Sequence, residues 1–185
     1  MTGFLLAMIA TFLAGFGARD QVLVATFAER QGQRPALLLV ALASAVVAAA
    51  AAIWLAAAFA PELTAPVRRM LAVLALGLAA LEMLLSRPHR RPDEPTQSLG
   101  AFGIVLLAQQ LTDASRFLLF AISVASILPG AAGLGGALGG AAVVVVGWGG
   151  GRALLDLPLL RIRRWLGGAL LVLAAGLVVL FRMTG

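Results

Sequence analysis

Six apolar runs separated by short polar breaks dictate what this chain can fold into. They cover residues 3–28, 36–60, 67–86, 100–127, 131–155 and 162–181. A helix that crosses a bilayer needs about 20 predominantly apolar residues, and each run reaches that length. The breaks carry helix-stop and turn chemistry: Gly32 and Pro35, Pro61 and Pro66, Pro129-Gly130, and Asp156 with Pro158. Hydrophobic residues make up 62% of the 185 and charged residues 12%. A soluble domain of this length cannot hide that much apolar side chain, so the excess faces lipid. The expected fold is all-α, a polytopic membrane protein of six transmembrane helices.

The same residues exclude several function classes. With no cysteine there are no disulfides, thiolate metal sites or cysteine nucleophiles. The one histidine, His89, lies in a charged stretch, so neither a multi-histidine zinc site nor a Ser/His/Asp set can form. No glycine-rich phosphate loop follows a strand pattern. The chain therefore reads as neither an enzyme nor a cofactor-binding protein. Its net charge of +6 could suggest nucleic acid. The arginines, however, sit at the ends of apolar runs, as membrane proteins place them, and no aromatic-rich soluble module accompanies them. The partner this distribution predicts is the lipid bilayer.

The longest break runs from Arg87 to Ser98 and holds Pro88, Pro92 and Pro95 among charged residues, as a solvated linker would. It sets the expected organisation: a first three-helix repeat over 1–86, a linker over 87–99, and a second three-helix repeat over 100–185. No basic stretch precedes Phe4, so the first run is expected to be a permanent helix and not a signal peptide. Breaks after the first, third and fifth runs carry Arg30, Arg34, Arg87, Arg90, Arg91, Arg152, Arg161, Arg163 and Arg164, against Arg68, Arg69 and Arg182 on the other side. The positive-inside rule then puts the linker in the cytoplasm and both termini outside, in a multi-pass protein of a bacterial-type inner membrane.

Sliding the chain along itself by 95 positions places Val67-Arg68-Arg69 on Ile162-Arg163-Arg164 and Gly17-Ala18-Arg19-Asp20-Gln21 on Thr112-Asp113-Ala114-Ser115-Arg116. An odd number of spans per half turns the second half upside down. Inverted repeats of this kind are a mark of secondary transporters, with a substrate site near the midplane.

Ionisable groups at membrane depth cost about 2.5–3.5 kcal/mol each on insertion scales and point to function. Asp113 lies near the centre of the fourth run, with Arg19 and Asp20 just past the centre of the first. These two runs are longer than a perpendicular span needs, consistent either with tilt or with a local break at the polar motif. Gln110 and Asp113, three apart, would share a helical face. With Ser115, or Thr112, they offer hard oxygen donors suited to calcium, magnesium or manganese. A carboxylate there could also carry a proton. The plainer reading pairs Asp113 with Arg116 or Arg19, and Asp20 with Arg19, as charge neutralisation. Glu82, one turn from the end of the third run, is expected to reach the interface. Gly135/Gly139, Gly136/Gly140 and Gly147/Gly151 predict close helix packing.

The layout resembles the six-span cation/proton exchangers of the transmembrane-protein-165 family, in the lysine-exporter superfamily. That family carries two copies of Glu-x-Gly-Asp-(Lys/Arg)-(Ser/Thr), in helices one and four, commonly followed by Gln. In the first copy Gly17, Arg19 and Gln21 keep their motif letters, Gly15 and Ala18 replace the acids, and Asp20 takes the hydroxyl position. In the second copy Asp113 and Ser115 are kept, Gln110 replaces the glutamate, Thr112 the glycine and Ala114 the basic residue, and Arg116 stands at the glutamine position. The resemblance implies exchange of calcium or manganese for protons, with Asp113, Gln110, Ser115 and Asp20 as cation ligands between inverted halves. Two alternatives stand beside it: a non-transporting membrane protein that binds a partner, and an exporter of another small solute, whose carboxylate Arg19 and Arg116 would hold. Nothing in the sequence sets the oligomeric state.

Overall fold

A computed structural model of the chain describes residues 2–86, 98–126 and 128–184. Eight helices follow one another: α1 (Thr2–Gly15), α2 (Arg19–Gln31), α3 (Pro35–Phe59), α4 (Ala65–Leu85), α5 (Leu99–Leu111), α6 (Ala114–Ala125), α7 (Pro129–Leu155) and α8 (Leu159–Thr184). A short 3-10 turn, Ala60–Glu62, separates α3 from α4. The described residues contain no strand. Most of the expected linker lies outside the described residues, His89 with it; Ser98 caps α5, its Oγ accepting the Ala101 N–H at 3.3 Å, and Leu99 opens that helix.

Three helices, α3, α7 and α8, are long and apolar enough to cross a membrane, and five spans result if α1–α2 and α5–α6 each count as one. α4 falls outside that count because its 21 residues hold Arg68, Arg69 and Glu82. Prolines in the first turn start α3, α4 and α7, where a missing N–H costs nothing. α2 ends on Gly32, whose φ of 81° suits a residue without Cβ.

The first and fourth apolar runs are not continuous helices. α1 and α2 meet at 63°, and α5 and α6 at 52°. Break, not tilt, accounts for their length. At the first break Gly17 takes φ 73°. Ala18, at the N-cap, has no side-chain acceptor to offer, and Gln21 reaches back past it to accept the Gly17 N–H at 2.7 Å, one residue beyond the reach of a capping box. At the second break Asp113 is itself the N-cap of α6, accepting the Ser115 N–H at 3.1 Å. Gln110 and Asp113 therefore do not share a helical face: one ends α5 and the other starts α6.

The element starts repeat along the chain. α2 begins at Arg19 and α6 at Ala114; α3 at Pro35 and α7 at Pro129; α4 at Ala65 and α8 at Leu159.

α7 is the centre of the bundle, packed on α1, α2, α3 and α6. Its glycines make that possible. A Cβ on Gly135 or Gly139 would overlap the backbone carbonyls of Phe4 and Met8, and one on Gly136 would overlap Leu119. In lipid, close van der Waals approach of this kind replaces the hydrophobic drive that packs soluble helices. α8 is the peripheral helix, with 11% of its candidate span buried. It lies chiefly along α4.

Candidate charged site at the helix breaks

Each break leaves backbone groups without helical partners and brings charged side chains inside. Asp20, Asp113, Arg116 and Arg163 are all buried. Such charges persist in an interior only when paired or hydrogen-bonded.

Arg163 is the hub. Only 1% of the residue is exposed. Its Nη1 donates to the Ala14 carbonyl at 2.7 Å, a group that the end of α1 leaves unpaired. Its Nε donates to Ser86 Oγ at 3.1 Å. Its Nη2 donates to Asp113 Oδ1 at 2.7 Å and to Glu82 Oε2. One guanidinium fork thus ties α8 to α1, α4 and α6. Glu82 completes the chain of charge by accepting from Arg19 Nη2 at 3.4 Å on the outer side, where the Arg19 side chain is 50% exposed.

This arrangement corrects four expectations. Asp113 pairs with Arg163, not with Arg116 or Arg19. Arg19 turns to Glu82 and not to its neighbour Asp20. Glu82, with 12% of its side chain exposed, is held in the bundle and does not run out to the interface. Arg163 was assigned to a loop, yet it lies on the inner face of α8. The period that starts at Leu159 and passes through Arg163, Leu166, Leu170 and Ala174 is the buried one.

A second polar group lies where α2, α3, α5, α6 and α7 approach one another. Asp20 Oδ1 accepts the Gln21 N–H at 2.8 Å, and Gln21 Nε2 donates to the Val143 carbonyl of α7 at 3.2 Å. Ser44 of α3 donates to Gln110 Oε1. Arg116 Nη2 donates to the next carbonyl of α3, Ala45, at 3.4 Å. Gly140 gives that guanidinium room, since a Cβ there would stand 3.1 Å from Nη1. Arg116 Nε and Nη1 and Gln110 Nε2 are buried donors without a hydrogen-bond partner among the described residues, and Gln109 Oε1 is an acceptor in the same condition. Asp20 is within electrostatic range of Asp113, Arg116 and Arg163.

The candidate residues therefore divide. Asp20 and Asp113 are brought into range of each other. Gln110 faces α3, Ser115 supports Asp113 through its backbone, and Gly17 and Gln21 build the first break. Thr112 is exposed, its hydroxyl donating back to Ala108 and Gln109 carbonyls. Among the described residues no group of three or more His, Cys, Asp or Glu could hold a metal ion. Inside the cluster Asp20 and Asp113 are balanced by Arg116 and Arg163, a nearly neutral set. Residues that the sequence reading passed over are Arg163, Ser86 and Ser44. Ser44, a lone hydroxyl in the alanine-rich α3 opposite a polar interruption, was the available signal. No known protein family, curated protein or solved structure matches this chain.

Proposed function

We propose that this chain is a membrane-embedded secondary transporter whose substrate site is the polar junction between the two helix breaks. One observation carries the reading. Two helices in register-equivalent positions are each interrupted at a polar motif, and each interruption brings a buried carboxylate, Asp20 or Asp113, to the interior. Discontinuous helices in corresponding places of two halves are where inverted-repeat transporters hold their substrates. On this reading the halves, 1–86 and 100–185, are inverted repeats of three spans, the linker is cytoplasmic, and both termini are outside. α4 supplies the sixth span: its 21 residues reach about 31 Å, and its charges lie near its two ends.

The substrate reading that agrees with the motif resemblance is exchange of a divalent cation, calcium or manganese, for protons. Asp20 and Asp113 would be the alternating cation and proton ligands. The charge balance adds a condition: a cation gains a net negative site only when a guanidinium swings away from its carboxylate. A second reading has its own observation. The unpartnered nitrogens of Arg116 and Gln110 are donors, so they suit a small solute bearing a carboxylate or similar anion.

Proteoliposomes with an internal pH dye, offered a panel of cations and then of small carboxylates, separate these readings. Cation-driven proton flux supports the exchanger, and carboxylate-driven flux the exporter. Asp113→Asn keeps the helix cap, because asparagine caps as well as aspartate, and removes the charge. Flux that survives this change refutes the site. Silence across both panels favours a non-transporting binding protein.

A further inference from the structure

A cavity of about 680 Å³ opens beside the first break, between α2 and the start of α8. Gly17 and Val22 line it on one side, and Leu155, Arg161, Arg164 and Trp165 on the other. Its origin is an asymmetry in the bundle. α4 packs along α6, and the corresponding pair in the second half, α8 and α2, forms no such seam. Leu159 abuts Gly17 and Val22, but beyond that contact the space between α2 and α8 stays open.

The lining has the chemistry of an amphiphile's head. Arg161 and Arg164 are one helical turn apart, both exposed, and neither has a carboxylate partner among the described residues. No lining residue is acidic. Behind the two guanidiniums the wall is apolar, and Trp165, 77% exposed, stands at the rim on the most lipid-facing helix. Two arginine forks match phosphate oxygens. A tryptophan beside them belongs at headgroup depth. An inorganic anion would fill a small part of this volume, whereas a headgroup with the first carbons of its chains would fill it and continue along α8.

We infer that this opening is a binding site for an acidic phospholipid, its phosphate held by Arg161 and Arg164 and its acyl chains along the α2–α8 gap. Basic pockets between membrane helices take anionic headgroups in this way. The inference needs the chain to be in a bilayer and does not depend on what, if anything, it transports.

The test is lipid retention. The full chain is purified from nanodiscs containing phosphatidylcholine and phosphatidylglycerol, and bound lipid is read by native mass spectrometry. The wild-type chain is expected to keep phosphatidylglycerol in preference. Arg161→Gln with Arg164→Gln should lower that preference about thirtyfold, from about fivefold per surface cation. Arg182→Gln, at the far end of α8, should leave it unchanged. Val22→Phe, which narrows the cavity from its α2 wall and leaves charge alone, should lower retention too. Equal retention of both lipids, or an unaltered preference in the double-glutamine variant, overturns the assignment. So does full retention by Val22→Phe, because the arginines would then act as surface charge alone. Displacement of the lipid by millimolar inorganic phosphate would identify a soluble-anion site instead. Thermal midpoints of the variants, expected to match the wild type, guard against misfolding as the cause.

Discussion

Replacing Arg163 with methionine keeps the unbranched apolar stem of the side chain and removes its charged head. Four acceptors lose their donor at once: the Ala14 carbonyl, Ser86 Oγ, Asp113 and Glu82. Glu82 retains the exposed Arg19, but Asp113 keeps only the Ser115 N–H as a hydrogen-bond donor and must share Arg116, the remaining buried cation, with Asp20. Removing one partner of a buried pair costs about 3–5 kcal/mol, since the charge left behind is neither solvated nor paired. At about 2–4 °C per kcal/mol for a chain of this size, the thermal midpoint should fall by about 6–20 °C. Heating in one fixed detergent, followed by size-exclusion chromatography of the surviving monodisperse fraction, reads that midpoint. The second arm is Arg163→Met combined with Asp113→Asn, which removes the stranded charge. It should recover part of the loss, with a coupling near the upper end of the usual 0.5–3 kcal/mol, about 2 or more. A fall smaller than about 2 °C, or strictly additive single effects, would show that the Arg163–Asp113 pair contributes no more than a surface ion pair does.

The packing makes further commitments. Gly139→Leu should abolish recovery of folded protein, because its first carbon already overlaps the Met8 carbonyl, whereas Gly149→Ala, which meets nothing within 4 Å, should be neutral or slightly stabilising by thermal midpoint. Gly17→Ala should cost about 1–2 kcal/mol from its φ of 73° alone, and more from the contact 3.1 Å away at Leu159; an unchanged midpoint would mean that the first break is not held in this geometry. Removing Arg116 and Asp20 together, as Arg116→Met with Asp20→Asn, exchanges an incompletely hydrogen-bonded charge pair for neutral groups. It should leave stability unchanged or raise it by about 1–4 kcal/mol while eliminating any solute-driven flux, and a loss of fold would assign both residues a structural role.

The all-helical character and the repeating helix starts were legible because a bilayer fixes element length, although three to five candidate spans stand where six were expected, and a polar stretch inside an apolar run has few ways to be accommodated. The breaks themselves were half legible. Length and polarity allowed tilt or interruption, and only the positive φ of Gly17 and the capping role of Asp113 decide between them. The face argument for Gln110 and Asp113 failed for that reason, since a helical spacing has no meaning across a break. Arg163 was hidden by its neighbours: in a basic cluster with Arg161 and Arg164 it looked like loop charge, although the 159, 163, 166, 170 period already set it apart from them. Glu82 was misplaced with it, because a carboxylate near a helix end needs a buried cation to stay inside, and that cation comes from 81 residues further along the chain. Long-range ion pairs of this kind leave no local mark.

The position of Arg163 also sets an order of assembly. α8 leaves the ribosome after α4 and α6, and until it packs against them, Glu82 and Asp113 have no guanidinium between them. Seven helices without the eighth therefore hold excess negative charge at the point where both breaks converge. Docking of this helix is then drawn by charge as well as by its packing along α4. A helix with 11% of its candidate span buried thus supplies the cation of the bundle's most buried ion pair, so its docking neutralises the carboxylates that α4 and α6 bring inside.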